Sequence, residues 1–139
     1  MSALLVDTNV IMRYFTGEPE ADAARANVLM AEVVAGRVSI LVEDVVVAEL
    51  VWVLGSLYKL GRDEIGELIA NLLALGGVEN PDKPTLQAAI ASYRSGKMDF
   101  ADALLAARAL SRGQHEIYSF DRDFDRIPGV ERRDPGMPA

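Results

Sequence analysis

The sequence lacks cysteine entirely and has a single histidine among its 139 residues. Disulfides, thiolate metal sites and thiol nucleophiles are therefore excluded, and the composition suits a reducing cytoplasm. Long apolar runs are also missing, because the longest, Val45 to Leu54, is broken by Glu49 and is far too short to span a bilayer. The first basic residue, Arg13, comes after the first apolar run, so nothing resembles a signal peptide. We expect a soluble, cytoplasmic protein without a membrane partner.

Positive charge is scarce as well. The chain has 14 Lys and Arg residues against 21 Asp and Glu residues, which gives a formal net charge of −7. This balance argues against a protein that coats nucleic acid by bulk attraction. It does not exclude an enzyme whose acids surround cations, because bound divalent metals invert the local field.

Short aliphatic and β-branched runs alternate along the chain with helical stretches. The runs lack an apolar–polar alternation, which is typical of strands buried on both faces. Alternating strands and helices predict an α/β fold, a three-layer sandwich in which helices flank a central, mainly parallel sheet. We expect one domain over residues 1–133 and a C-terminal tail over 134–139. Strands are predicted at Ala3–Val6, Val38–Val42, Glu116–Phe120 and, more weakly, Gly77–Glu79 and Val130–Arg132; helices are predicted from near Thr8 and at Glu20–Ala35, Asp44–Lys59, Arg62–Leu75, Asp82–Ser95 and Asp99–Arg112.

Two acids directly follow predicted strands. Asp7 comes after the run ALLV and Asp121 after EIYSF, and in open α/β sheets ligands bind outside the carboxyl ends of the strands. Each acid also has an ordinary alternative role. Asp7 can cap the helix that begins near Thr8, and Asp121 can initiate a turn.

A third acid, Glu49, interrupts the apolar stretch VVVAELVWVL. Helical spacing places it beside Val45, Trp52 and Val53. An ionised carboxylate in apolar surroundings is costly unless it is paired or bound to a metal, so a functional role is favoured. The alternatives are a salt bridge to a distant Arg and a narrow polar stripe that reaches water.

Asp99 and Asp102 lie at the start of the last predicted helix. Asp99 is a natural N-cap, and Asp102 occupies the acidic position of a capping box. Capping is the stronger alternative for Asp99, because Glu or Gln is the usual residue at the position of Asp102.

These acids are isolated in apolar sequence, with no basic partner at pairing distance along the chain. Clustered carboxylates repel one another unless cations hold them together. Oxygen ligands without His or Cys favour hard metals such as Mg²⁺ or Mn²⁺, and a carboxylate-held metal pair is a standard device for phosphodiester hydrolysis.

Four segments, LLVDTNVIM, VVVAELVWVL, DFADALLAARA and SFDRDF, resemble in this order the motifs of the PIN domain. The resemblance runs the length of the chain and is specifically to the VapC toxin ribonucleases of bacterial and archaeal toxin–antitoxin pairs. Any one motif is unspecific, whereas four in order are quite specific.

The resemblance implies a Mg²⁺- or Mn²⁺-dependent endoribonuclease. Asn9 and Ser119 are then expected to orient the carboxylates or water. It also implies an RNA substrate, with transfer RNAs prominent, a homodimer, and a small antitoxin that lies across the site. The acids that it implies as catalytic and metal-binding are Asp7, Glu49, Asp102 and Asp121, with Asp99 and, ranked below it, Asp123 as further candidates.

The alternative function is a PIN-like RNA- or protein-binding module without nuclease activity, which the intact acids disfavour. Other phosphoryl-transfer folds fit poorly. A haloacid-dehalogenase-like enzyme needs an Asp where Asn9 stands, a receiver domain needs an acid where Thr8 stands, and a P-loop needs a Gly-Lys-Ser/Thr run that the sequence lacks.

The predicted helical hairpin of residues 44–75 has more apolar residues than one helix face requires, which predicts a protein interface. An antitoxin that docks there would reach the acids with a basic group, for which Arg is best suited. The apolar residues singled out for this interface are Val51, Trp52, Leu57, Leu68, Ile69 and Leu72.

Overall fold

The computed structural model describes residues 2–96 and 98–138, and it has an α/β fold with parallel strands. The chain divides into two compact units, of which the first ends at Lys83 and the second begins at Pro84. The single domain expected over residues 1–133 stays a prediction.

The first unit is built on a three-stranded parallel sheet in the order β1-β2-β3. Its strands are β1 (Leu4–Leu5), β2 (Ile40–Leu41) and β3 (Val78–Glu79). Leu4 is in register with Ile40, and Ile40 with Val78. Because all three strands run in the same direction, their carboxyl ends meet at one edge of the sheet.

Four helices belong to this unit: α1 (Thr8–Thr16), α2 (Glu20–Val34), α3 (Asp44–Ser56) and α4 (Arg62–Ala74). Helix α1 packs against α2 and α3, and α3 packs against α4. Burial of one apolar face of each helix gives the unit its core. The largest fully buried side chains of this core include Ile11, Met30, Ile40, Leu50, Leu54, Ile65, Ile69 and Leu73.

Gly77, just before β3, is a position where no other residue fits. Its carbonyl accepts a hydrogen bond from the amide of Ile40 at 2.8 Å. A Cβ atom there would lie 2.8 Å from the carbonyl oxygen of Val33 and 2.9 Å from that of Val38. The close approach of three backbone segments therefore requires glycine.

The second unit contains α5 (Lys83–Ser95), α6 (Phe100–Ser111), β4 (Glu116–Tyr118), a 3₁₀ helix (Arg122–Arg126) and β5 (Glu131–Arg133). Strands β4 and β5 pair in parallel, with Glu116 opposite Glu131. Tyr93 and Phe100 pack edge to face, with ring centroids 6.4 Å apart. A small apolar core holds the unit together; it comprises Met98, Ala106, Phe124 and Val130, with Ile117 and Ile127 packed against them.

The predicted α/β class is confirmed, and each predicted strand and helix has a counterpart in the structure. Four strands are shorter than predicted, and β5 has the predicted length but begins one residue later. The segment after Asp121 is a 3₁₀ helix rather than a turn. Within the described residues, no helix has the length and apolar character needed to cross a membrane.

Candidate active site

Asp7 stands where β1 gives way to α1. It has the backbone conformation of an N-cap, with φ −81° and ψ 149°, but its side chain makes no capping hydrogen bond. The carboxylate is exposed, so it is available at the carboxyl edge of the sheet. Asn9 lies in the first turn of α1 and is exposed as well.

Glu49 lies near the middle of α3, and its environment differs from the one predicted. The helix buries Val47, Leu50 and Leu54, whereas Glu49 lies on the opposite, exposed face. The residues flanking it on that face, Val45 and Trp52, are 71% and 62% exposed. The expectation of a carboxylate embedded among buried apolar side chains was therefore wrong, because only one face of this apolar helix is covered.

The predicted apolar interface also differs from the observed surface. Of the apolar residues singled out for an interface, Ile69 and Leu72 are buried in the core of the unit. Trp52 and Leu57 are exposed, at 62% and 66%. An apolar surface does exist on α3, but α4 contributes less to it than predicted.

Asn80 and Asp44 form a polar link that the sequence analysis missed. The side-chain amide of Asn80, just after β3, donates to the carbonyl of Val42 at 2.9 Å and to Oδ1 of Asp44 at 3.0 Å. The link ties the end of β3 to the first turn of α3. A polar residue directly after a strand was the available signal, as it was for Asp7.

In the second unit, Asp99 and Asp102 lie at the start of α6. Asp99 is the N-cap in backbone conformation, but its side chain makes no capping hydrogen bond. Asp102 is half-buried in the first turn. The N-cap role considered for Asp99 agrees with its backbone position, but its side chain does not make the hydrogen bond that such a role requires.

Asp121 follows β4 and is the N-cap of the 3₁₀ helix. Its Oδ1 accepts a hydrogen bond from the amide of Asp123 at 2.9 Å, so part of its carboxylate does cap this short helix. Oγ of Ser119 accepts from the amide of Asp121, also at 2.9 Å. Ser119 therefore fixes the backbone that carries Asp121. Asp123 is half-buried, and Arg126 lies 3.8 Å from its carboxylate.

Electrostatics connects the acids of the second unit. Burial raises the pKa of Asp102 above its ordinary value, and the negative charges of Asp121, Asp99 and Asp123 raise it further. No ion pair to Asp102 occurs among the residues that the structure describes. Asp102 thus belongs to a group of acids that repel one another.

The structure therefore brings Asp102, Asp121, Asp99 and Asp123 into electrostatic contact within the second unit. Asp7 and Glu49 lie in the first unit, Asp7 directly before α1 and Glu49 on α3, and these two helices pack together. Over residues 2–96 and 98–138, no three His, Asp or Glu side chains are arranged to hold a metal ion. The chemistry of the acids nevertheless fits a hard cation. Such an ion prefers oxygen ligands, and its positive charge would offset the repulsion between the carboxylates.

Comparison with known proteins identifies the class. The family model for the PIN domain matches residues 4–130, and the chain belongs to the PIN domain family. It is also similar to a VapC ribonuclease of Aquifex aeolicus (strain VF5), with 30% identity over 125 residues. That alignment covers 88% of this chain and 90% of the relative. The resemblance inferred from the four sequence motifs is confirmed.

Proposed function

We propose that this PIN domain is a metal-dependent endoribonuclease that hydrolyses RNA phosphodiester bonds. The observation that carries the proposal is the repulsive group of acids around Asp102, whose pKa is raised by burial and by three neighbouring carboxylates. A fold does not retain such a group for its own stability, because each added negative charge opposes the next. Membership of the PIN domain family and similarity to a protein named as a VapC ribonuclease support the same activity.

The proposed catalytic and metal-binding acids are Asp7, Glu49, Asp102 and Asp121. A bound Mg²⁺ or Mn²⁺ would supply charge neutralisation at the phosphate and activation of water. Asp102 and Asp121 hold negative charge close together, and Ser119 fixes the backbone of Asp121 at 2.9 Å. Asn9 presents an exposed amide two residues from Asp7, where it can orient a carboxylate or a water molecule. Asp99 and Asp123 add negative charge around Asp102.

A cleavage assay tests this function directly. Purified protein with Mg²⁺ or Mn²⁺ should cut single-stranded or loop RNA, and chelation with EDTA should stop cleavage. Full cleavage in EDTA would contradict the metal mechanism. RNA binding without cleavage under any metal would instead favour the alternative function, an RNA-binding module.

We further propose that the enzyme acts in the cytoplasm as the toxin of a toxin–antitoxin pair, with transfer RNA among its substrates. An antitoxin protein would dock on the exposed apolar face of α3 and place an Arg against the acids. The support is the exposure of Val45, Trp52 and Leu57 on or next to that helix together with the uncompensated acids. Growth arrest on expression, relieved by the product of an adjacent gene, tests the pairing. Size measurement in solution tests the proposed homodimer.

A further inference from the structure

A groove lies between α1 and α2 in the first unit. Its volume is about 420 Å³, which is within the roughly 300–1,000 Å³ of typical ligand clefts. The lining combines apolar atoms with two guanidinium groups and the carboxylate of Asp22, which is paired with Arg25. We call it the α1–α2 groove; the lining residues that matter here are Asn9, Val10, Arg13, Arg25 and Leu29.

Asn9, two residues after Asp7, lines the groove. Helix α1 starts at Thr8, directly after that acid. Asn9 and Arg13 are four residues apart on α1, so they share one face, about 6 Å apart along the helix axis. The α1–α2 groove therefore holds a proposed site residue, Asn9, and a guanidinium one helical turn away.

Arg13 differs from Arg25 and Arg37 in its surroundings. Arg25 is paired with Asp22 at 2.6 Å, and Arg37 with Glu32 at 2.5 Å. Arg13 is half-buried, and no carboxylate pairs with it among residues 2–96 and 98–138. In a chain with a formal net charge of −7, a guanidinium that no acid neutralises is suited to bind an anion from outside.

We propose that the α1–α2 groove binds one nucleotide of the single-stranded RNA substrate, with a phosphate on Arg13 and the base against Val10 and Leu29. The inference rests on the proposed ribonuclease function and adds a binding subsite to it. Single-stranded nucleic acids are bound by cationic groups that contact phosphates and by side chains, usually aromatic, that contact bases. In this groove Val10 and Leu29 offer apolar contact to a base in place of aromatic stacking. Asn9, a proposed site residue that lines the groove, favours the substrate over a protein as occupant. Arg25 can add a second phosphate contact, because its exposed ion pair with Asp22 stabilises little.

The test measures RNA binding in an Asp7→Asn background, so that RNA stays intact. The probe is a short, unstructured, fluorescein-labelled RNA of mixed sequence, and anisotropy gives the dissociation constant over a series of KCl concentrations. Adding Arg13→Ala should weaken binding about tenfold. The logarithm of the association constant falls with the logarithm of the salt concentration, and Arg13→Ala should make that slope less steep by about 0.7. This is the value for one phosphate contact on a single strand. Arg13→Gln, which keeps more of the side chain, should lower the slope equally.

Two further variants distinguish a specific phosphate contact of Arg13 from a general effect of removing positive charge or side-chain volume. Arg37→Ala removes the same charge from a position already paired with Glu32, and it should leave the affinity within about twofold of the parent. Leu29→Ala should weaken binding without changing the salt slope, because it removes apolar contact and no phosphate contact. Thermal melts of all variants establish that each is folded.

An unchanged salt dependence of RNA binding in both Arg13 variants would overturn the inference. A loss of RNA affinity in Arg37→Ala equal to that in Arg13→Ala would overturn it too. Loss of binding to a co-expressed antitoxin with RNA binding intact would assign the groove to a protein and would also overturn it. Cleavage by the unaltered protein distinguishes failure of the proposed subsite from failure of the proposed ribonuclease function. If that protein cuts RNA and the Arg13 slope is unchanged, only the subsite is wrong; if it cuts no RNA with any metal, the ribonuclease function is wrong.

Discussion

The carboxyl group of Asp102 is half-buried and faces three other acids. In the metal-free protein this negative charge opposes folding, so Asp102→Asn should melt at the same temperature as the parent or higher at neutral pH. A residue that only capped α6 would behave in the opposite way, with a loss of about 0.5–2 kcal/mol. Melts in EDTA measure the difference, and Glu64→Gln, an exposed acid on α4, is the matched charge control.

The same substitution has a predicted pH dependence. The pKa of Asp102 is higher in the folded protein than its ordinary value, so between those two values the folded state binds more protons than the unfolded state. The free energy of unfolding contributed by this group therefore falls as pH rises through that window. The stability gained by Asp102→Asn should be full above the folded pKa and vanish below the unfolded one. A difference between variant and parent that is constant from acid to neutral pH would contradict this account.

At residue scale, the sequence predicted the positions of the acids better than their surroundings. Asp7 and Asp121 do lie just past strand ends. The predicted burial of the preceding strands on both faces was wrong, because Leu4 and Leu5 are 75% and 67% exposed and β4 is largely exposed. The prediction that Glu49 is buried was wrong, because VVVAELVWVL is apolar on nearly every side and periodicity cannot select which face of the helix is covered. Likewise, the N-cap position of Asp99 follows from local sequence, whereas local sequence did not indicate that its carboxylate makes no capping hydrogen bond.

At the scale of elements, Gly77 offers a sharp test of the first unit. In Gly77→Ala the new Cβ would meet the carbonyl oxygens of Val33 and Val38 at under 3 Å. Backbone atoms cannot rotate away as a side chain can, so we expect a loss of stability at the upper end of the 1–3 kcal/mol typical of overpacking, about 3 kcal/mol. Chemical denaturation measures it.

The neighbouring glycine supplies the control for that experiment. A Cβ on Gly76 would meet no atom within 4 Å, so Gly76→Ala should leave the free energy of unfolding within about 0.5 kcal/mol of the parent. Equal stability of the Gly76 and Gly77 variants would show that β3 does not approach α2 as closely as described.

Elements were predicted well because their boundaries carry local signals. Glycines follow α1 and mark the hairpin between α3 and α4, and Pro84 lies in the first turn of α5. Strand lengths were less accurate: Val38–Val42 was predicted, but only Ile40–Leu41 is paired as a strand. Pairing depends on where the partner strand ends, and a single strand's sequence does not contain that information.

At the scale of the whole molecule, metal binding should stabilise the fold. A ligand that binds only the folded state adds about 2.7 kcal/mol to the free energy of unfolding at a hundred times its dissociation constant. We expect Mn²⁺ to raise the melting temperature of the parent. The rise should be smaller in Asp7→Asn and in Asp102→Asn. Mg²⁺ should act in the same direction, and an equal rise in both variants and the parent would reject these acids as ligands.

The exposed face of α3 has a practical consequence, because Trp52 is the only tryptophan of the chain. Its indole ring is 62% exposed and lies one helical turn from Glu49. The tryptophan fluorescence of the protein therefore comes from a single, water-exposed side chain near a proposed catalytic acid. A protein that covers α3 would exclude water from this ring and shift its emission to shorter wavelength, so that arrival of a partner could be followed in real time without any added label.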